Sequence, residues 1–249
     1  MQSVTERPAV AALRGPVAIG RDALHVWLID LDAPGPAAAA ALDATERDRA
    51  ASLVRPQDGA RFTARRAALR WVLARYLGGE PGDLEFRVGP HGQPRLAGDE
   101  VRFSLTSSGG LALIAVSRSP VGVDLERIEP RPGIADLAAV RFAAREAASI
   151  AAGCCGPPTL SFYRHWTAKE AYLKAVGLGL AGLRDAELVC GARPAIWFAG
   201  STAGGWSLSP ASVPGGYVAT IAGRTLVTSW RSLSSGSPVT PAGPAGSCR

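Results

Sequence analysis

With 47% apolar and 19% charged residues, a chain of 249 residues can bury a sizeable core as one large domain or two small ones; the composition is not that of a disordered chain. It has no apolar run of about 18 residues or more, which argues against a membrane span. Its formal net charge of +6 favours phosphate-rich or acidic partners without choosing among nucleic acid, a nucleotide-like ligand and an acidic protein.

Residues 1–19 lack periodicity and read as a loose lead-in. They are polar, with an early Glu6, and do not resemble a signal peptide, so the expected compartment is the cytoplasm. "ALHVWLIDL" (23–31) predicts a strand, and "ALDATERDRAASL" (41–53) a helix after the turn "PGPAAAA". From Arg55, Phe62, Leu69, Val72, Leu73 and Tyr76 recur at helical spacing, and Gly78-Gly79 supply the stop. "LEFRVGPHGQPRL" (84–96) gives a short strand and a turn. "VRFSL" (101–105), "LALIAVS" (111–117) and "VGVDLE" (121–126) are three β-type pieces. A single helix is expected over 133–152, then the loop "GCCGPPT" (153–159) and a second long helix over "YRHWTAKEAYLKAVGLGL" (163–180), ending at Gly177 or Gly179. Short strands follow over 186–190, 195–200, 205–210, 216–223 and 225–230, and residues 232–249 form a Ser/Gly/Pro-rich tail expected to be disordered. Helices and short strands recur in both halves, which predicts an α+β protein of two lobes, 20–118 and 119–231, expected to be a monomer.

The cysteines (Cys154, Cys155, Cys190, Cys248) have no spacing of a zinc site or disulfide framework, and the histidines (His25, His91, His165) are too scattered for a metal site or a catalytic triad. No strand-then-GxGxxG signature and no phosphate-binding P-loop motif is present.

The chemistry concentrates in two places. On a strand, Asp124 and Glu126 point to one face. Two adjacent carboxylates repel unless a cation lies between them, and such oxygen ligands suit Mg²⁺; a lone Asp-x-Glu is more often a solvent-facing edge pair. The second place is the 163–180 helix. Of 27 lysines and arginines only Lys169 and Lys174 are lysines, and both flank Glu170. Glu170 and Lys174 form an i,i+4 pair, which on a surface is worth about 0.3–0.5 kcal/mol. Arginine would serve that purpose as well; a compact ammonium on a flexible stem is better suited to a phosphate oxygen. Together the two places hold three carboxylates and two ammonium groups, a kit for a Mg²⁺-bound diphosphate.

"VGVDLERI" followed by "FYRHWTAKEAYLKAVGLGL" resembles the paired signatures of the 4′-phosphopantetheinyl transferase superfamily, in its longer, surfactin-synthetase-activating branch. Trp166, Lys169, Glu170, Ala171, Lys174, Gly177 and Gly179 match the second signature. "RFSLTSSGGLALIAVS", "HGQPRL" and the basic helix from Arg55 resemble further family segments, so the likeness runs over about residues 20–230. It implies two α+β lobes related by a pseudo-twofold axis, with coenzyme A bound between them. The implied reaction moves 4′-phosphopantetheine from coenzyme A to a serine of an apo acyl or peptidyl carrier protein and releases adenosine 3′,5′-bisphosphate. By that resemblance Asp124, Glu126 and Glu170 would hold Mg²⁺, or Mn²⁺ in its place. Glu170 would help deprotonate the serine, directly or through water, and Lys174 with Lys169 would neutralise the diphosphate. Two departures stand out. Thr106-Ser107-Ser108 replaces the usual Ser-His-Ser, and Gln93, before Pro94, replaces the lysine of a Gly-Lys-Pro turn. Thr106, Ser107 and the Gly109-Gly110 amides could still meet phosphate as an anion-binding nest, and Arg55, Arg61, Arg65 or Arg66 could supply charge at the 3′-phosphate. Two other readings stay open: a Mg²⁺-dependent nucleic-acid enzyme, for which no stacking platform is evident, and a non-catalytic relative that binds coenzyme A or carrier proteins. The transferase reading expects neither nucleic-acid nor membrane partners.

Overall fold

The computed structural model describes residues 16–233 apart from 34–37, 90, 91, 99, 190–194, 199, 200, 203 and 226. Most of the expected lead-in and tail, with His91, Cys190 and Cys248, therefore lies outside the described residues.

The protein is α+β. Its first sheet has the order β12-β1-β5-β4, built from β1 (Leu24–Asp30), β4 (Arg102–Ser108), β5 (Leu111–Ser117) and β12 (Ser229–Leu233). Against one face of it lies α2 (Pro56–Leu77), whose Leu69, Val72 and Leu73 are fully buried with Trp27 and Ile114. Pro56 starts this helix at its first turn, where a missing N–H costs nothing, and Gly78 at φ +70° ends it. A preceding helix, α1 (Ala44–Ala51), carries a reciprocal cap between Asp43 and Glu46, and a small hairpin joins β2 (Phe86–Val88) to β3 (Pro94–Leu96).

The second half repeats the theme. β6 (Val121–Arg127), β10 (Ser207–Pro210) and β11 (Tyr217–Gly223) form a sheet of order β10-β11-β6, covered by α5 (Pro158–Val176), while β7 (Ala186–Val189), β8 (Ala195–Phe198) and β9 (Ser201–Thr202) form a smaller one. α5 lies so close on β6 that a Cβ at Gly122 would sit 1.8 Å from the carbonyl oxygen of Ala171. That contact admits only glycine. It brings the strand bearing Asp124 against the helix bearing Glu170.

Three differences from the sequence expectations have physical causes. The single helix expected over 133–152 is two, α3 (Ile134–Arg141) and α4 (Ala144–Ala151), because Phe142 leaves helical geometry to enter the core and the Glu146 carboxylate accepts from the Ala143 N–H to begin the second. α5 starts at Pro158, five residues before Tyr163, with Pro158 itself in the first turn. β12, expected in the second lobe, pairs in parallel with β1 and so closes the first sheet. Among the described residues no helix is long and apolar enough to cross a membrane.

Candidate active site

The two halves meet where β4 runs beside β6, and the seam is held by side chains. Ser104 accepts from the Val123 N–H at 3.1 Å, Thr106 donates to Asp124 at 3.1 Å, and Ser108 donates to Glu126 at 2.9 Å. Period-two alternation puts these three hydroxyls on one face of β4. The altered turn is thus wired to the carboxylates. Thr106 is buried and spends its proton on Asp124, Ser108 spends its own on Glu126, and the Gly110 N–H donates to the Tyr217 hydroxyl at 3.3 Å. This corrects the expectation that Thr106 and the Gly110 amide would be free to meet a phosphate.

The edge-pair alternative for Asp124 and Glu126 does not hold, since Asp124 is only 4% exposed. From α5, Glu170 (9% exposed) and Lys174 come to the same place. The Lys174 ammonium donates to Asp124 Oδ1 at 2.5 Å and to the Val123 carbonyl at 3.3 Å. Asp124 Oδ2 and Glu170 Oε1 are buried and have no hydrogen-bond partner. Burial pushes all three carboxyls above their ordinary range, and their mutual repulsion adds to it at Glu126 and Glu170. For Glu170 burial, then the Asp124 charge, raises the pKa to about 7, with Lys174 opposing. A site with three strained carboxylates and two orphaned oxygens fits a hard divalent cation, because each unsatisfied buried oxygen is otherwise a cost. Among the described residues no group of three or more His, Cys, Asp or Glu side chains is gathered so as to hold a metal ion by itself.

Lys169 is not part of this group, contrary to expectation. It is 0% exposed, donates to Glu146 Oε2 at 2.6 Å, and stands 4.8 Å over the Phe142 ring. Burial lowers its pKa, with Glu146 opposing that shift. Successive helical residues point about 100° apart, so Lys169 and Glu170 cannot both face the seam, whereas Glu170 and Lys174, one turn apart, can.

Glu170 and Lys174 line a cavity of about 1110 Å³ that reaches into the first half, where Arg65, Phe86, Gln93 and Thr106 face it. It is large enough for a nucleotide-sized ligand. Pro94 lines it beside Gln93 at the hairpin. Arg65 donates to Ser107 at 2.9 Å while its Nε is buried without a partner, and burial beside Arg66 lowers its pKa. Among the described residues Arg65 has no ion pair. The other arginine candidates differ. Arg66 and Arg70 share Glu46, Arg61 forms a two-pronged pair with Asp32 at 2.7 Å, and Arg55 is exposed just before α2 and does not line the cavity.

Sequence reasoning missed Glu146. Its only signal was position: an acid three residues after Ala143, at the start of a helix that was read as the middle of a longer one.

A family model described as the 4′-phosphopantetheinyl transferase superfamily matches residues 120–222, the span from β6 to β11. HetI, a 4′-phosphopantetheinyl transferase of Nostoc sp., is 38% identical over 175 residues, which cover 67% of this chain and 74% of HetI. Sfp, a 4′-phosphopantetheinyl transferase of Bacillus subtilis, is 24% identical over 137 residues, 55% of this chain and 60% of its own. AcpT, a 4′-phosphopantetheinyl transferase of Salmonella typhi, is 36% identical over 110 residues, 43% of this chain and 56% of its own. With the seam carboxylates, Lys174 and the cavity beside them all in one place, the chain belongs to the 4′-phosphopantetheinyl transferase superfamily.

Proposed function

We propose that the protein transfers 4′-phosphopantetheine from coenzyme A to a serine hydroxyl of an apo acyl or peptidyl carrier protein in the cytoplasm, releasing adenosine 3′,5′-bisphosphate, with Mg²⁺ as the metal. The observation that carries this reading is the pair of orphaned oxygens, Asp124 Oδ2 and Glu170 Oε1, beside Lys174, with Glu170 and Lys174 lining a nucleotide-sized cavity. Asp124, Glu126 and Glu170 would hold the ion, which supplies positive charge to the diphosphate oxygens.

Phosphoryl transfer leaves the protein little covalent work, so positioning and charge do most of it. Arg65, seated on Ser107, offers its free N–H edge to a phosphate of coenzyme A in the larger cavity, where histidine stands in the family's usual turn. Lys174 lines the larger cavity and would meet the diphosphate by sharing its bond to Asp124, its ammonium offsetting charge that grows on the leaving oxygen. Glu170 would help take the serine proton, directly or through water; its pKa of about 7 belongs to the site without a cation, and a bound divalent ion would lower it. Thr106 and Ser108 hold Asp124 and Glu126 in place for this chemistry.

Chromatography of the small-molecule products tests the reading. It predicts one adenosine 3′,5′-bisphosphate formed for each carrier protein modified. Coenzyme A consumption without carrier modification, or no consumption with any carrier, would refute it.

A further inference from the structure

Away from the seam, a second group of uncompensated charge lies at the other end of α2. Arg75 stands in the last turn of that helix, about 15 Å along its axis from Arg65 at ~1.5 Å per residue, and does not line the larger cavity. Its Nε and Nη1 are buried without a hydrogen-bond partner, and so is the Nε of Arg231 on β12. Among the described residues neither arginine makes an ion pair. The strand register brings the two together. β12 sets Arg231 beside Trp27 and Ser229 beside His25, and the Arg231 guanidinium stands 5.2 Å over the Trp27 ring, on the face that α2 covers. The hydroxyl of Tyr76, which follows Arg75 in α2, accepts from the Trp27 indole N–H at 2.9 Å and meets His25 Nδ1 at 2.9 Å. These three rings fix the floor beneath the guanidinium groups. Burial, then the Arg231 charge, lowers the pKa of both Arg75 and His25. The imidazole is thus held neutral, and the two guanidinium groups repel each other.

We infer that Arg75 and Arg231 form a second anion site, separate from the seam, which takes a tetrahedral phosphate, free or as a monoester. The inference does not depend on the proposed transfer. A buried donor without a partner is a cost, and two guanidinium groups with no counter-charge add their repulsion to it. A carboxylate would bring one charge and two oxygens to two cations with three orphaned nitrogens. A phosphate dianion brings two charges and enough oxygens for both planar forks. Both side chains are partly exposed, which leaves the ligand a way in.

The test is thermal unfolding of the full chain with inorganic phosphate, against chloride at matched ionic strength and without divalent cation. Wild type is compared with Arg75→Met, Arg231→Met and Arg65→Ala, and circular dichroism confirms that each is folded. About 10 mM phosphate should raise the wild-type melting temperature by roughly 3 °C or more. The rise should persist in Arg65→Ala, whose change lies in the larger cavity, and should vanish in Arg75→Met and Arg231→Met. Without phosphate, Arg231→Met should melt no lower than wild type, because it removes an uncompensated charge and keeps the alkyl stem over Trp27; an arginine with a purely structural role would lower it. Calorimetric titration of phosphate into the folded proteins should give the same order. A parallel series with glycerol phosphate separates the sources. A response to inorganic phosphate alone supports a site for the free ion, and a response to glycerol phosphate supports one for a phosphate ester. No rise in wild type with either ligand would overturn the inference. So would an equal rise in the Arg75 and Arg231 variants, which would put the phosphate elsewhere. A marked loss of stability in Arg231→Met without phosphate would also overturn it, since the charge would then already be met within the chain.

Discussion

Lys174 and Asp124 lie 50 positions apart in the chain, yet the ammonium of one meets the carboxylate of the other at 2.5 Å across the seam between the two halves. The same ammonium stands one helical turn from Glu170, whose Oε1 has no partner. A single cation is thus shared by carboxylates that would otherwise repel.

Replacing Lys174 should therefore act on chemistry more than on folding. Its side chain is partly exposed, so Lys174→Gln should lower kcat about a hundredfold with a small change in melting temperature. Lys174→Arg keeps the charge but not the compact reach, and should recover little of the loss. Near-wild-type turnover in Lys174→Arg, measured on a carrier protein, would contradict this role.

Lys169 should behave in the opposite way. Removing one partner of a buried ion pair costs about 3–5 kcal/mol. Lys169→Met should lose stability of that order in urea titrations, and Glu146→Gln with Lys169→Met should lose less than either alone. Coenzyme A binding by the folded fraction should be unchanged. A large loss of affinity at full stability would return Lys169 to the phosphate site.

Arg65 should carry affinity for coenzyme A. Hydrogen bonds to charged groups are worth about 1.5–3 kcal/mol, so Arg65→Ala should raise KM for coenzyme A by roughly 10- to 100-fold. Arg61→Ala should leave it near wild type, because Asp32 already takes that guanidinium. If Arg65 meets the 3′-phosphate, wild type should prefer coenzyme A to the form lacking that phosphate, and Arg65→Ala should lose the preference. An equal preference in both proteins would place Arg65 elsewhere.

Stability should depend on pH in a direction set by the cluster. The Glu170 pKa is raised in the folded state, so its favourable contribution is full below about 4.5, the ordinary value, and is lost as pH rises through about 7. Asp124 and Glu126 are raised too and act with the same sign. His165 acts against them: burial lowers its pKa, so its contribution is present above 6.5 and falls away in acid. Glu170→Gln isolates the first effect. Without divalent cation, the melting temperature of wild type relative to this variant should fall between pH 5.5 and 8, and Mg²⁺ should restore it at pH 8 much more than at pH 5.5. A difference that is flat with pH and insensitive to Mg²⁺ would contradict the cation site.

Much of the site was legible because it follows two simple periods. Asp124 and Glu126 share a strand face at spacing two, and Glu170 and Lys174 share a helix face at spacing four. Lys169 was misassigned because it was grouped by chemistry and not by direction around the helix. The Thr106-Ser107-Ser108 turn showed itself as a departure, but its wiring to Asp124, Arg65 and Glu126 depends on which strands lie side by side, and no local pattern encodes that. The break at Phe142 was hidden by alanines on both sides that suit a helix throughout. The return of β12 to β1 spans the whole chain and leaves no local trace.

Intact-mass spectrometry of an apo carrier protein, incubated with coenzyme A and Mg²⁺, tests the central claim most directly. The wild-type chain should add the mass of one phosphopantetheine arm to the carrier, and the gain should vanish with Glu170→Gln and with EDTA. An undiminished gain in either control, or no gain with acyl and peptidyl carriers while coenzyme A still binds, would contradict the account.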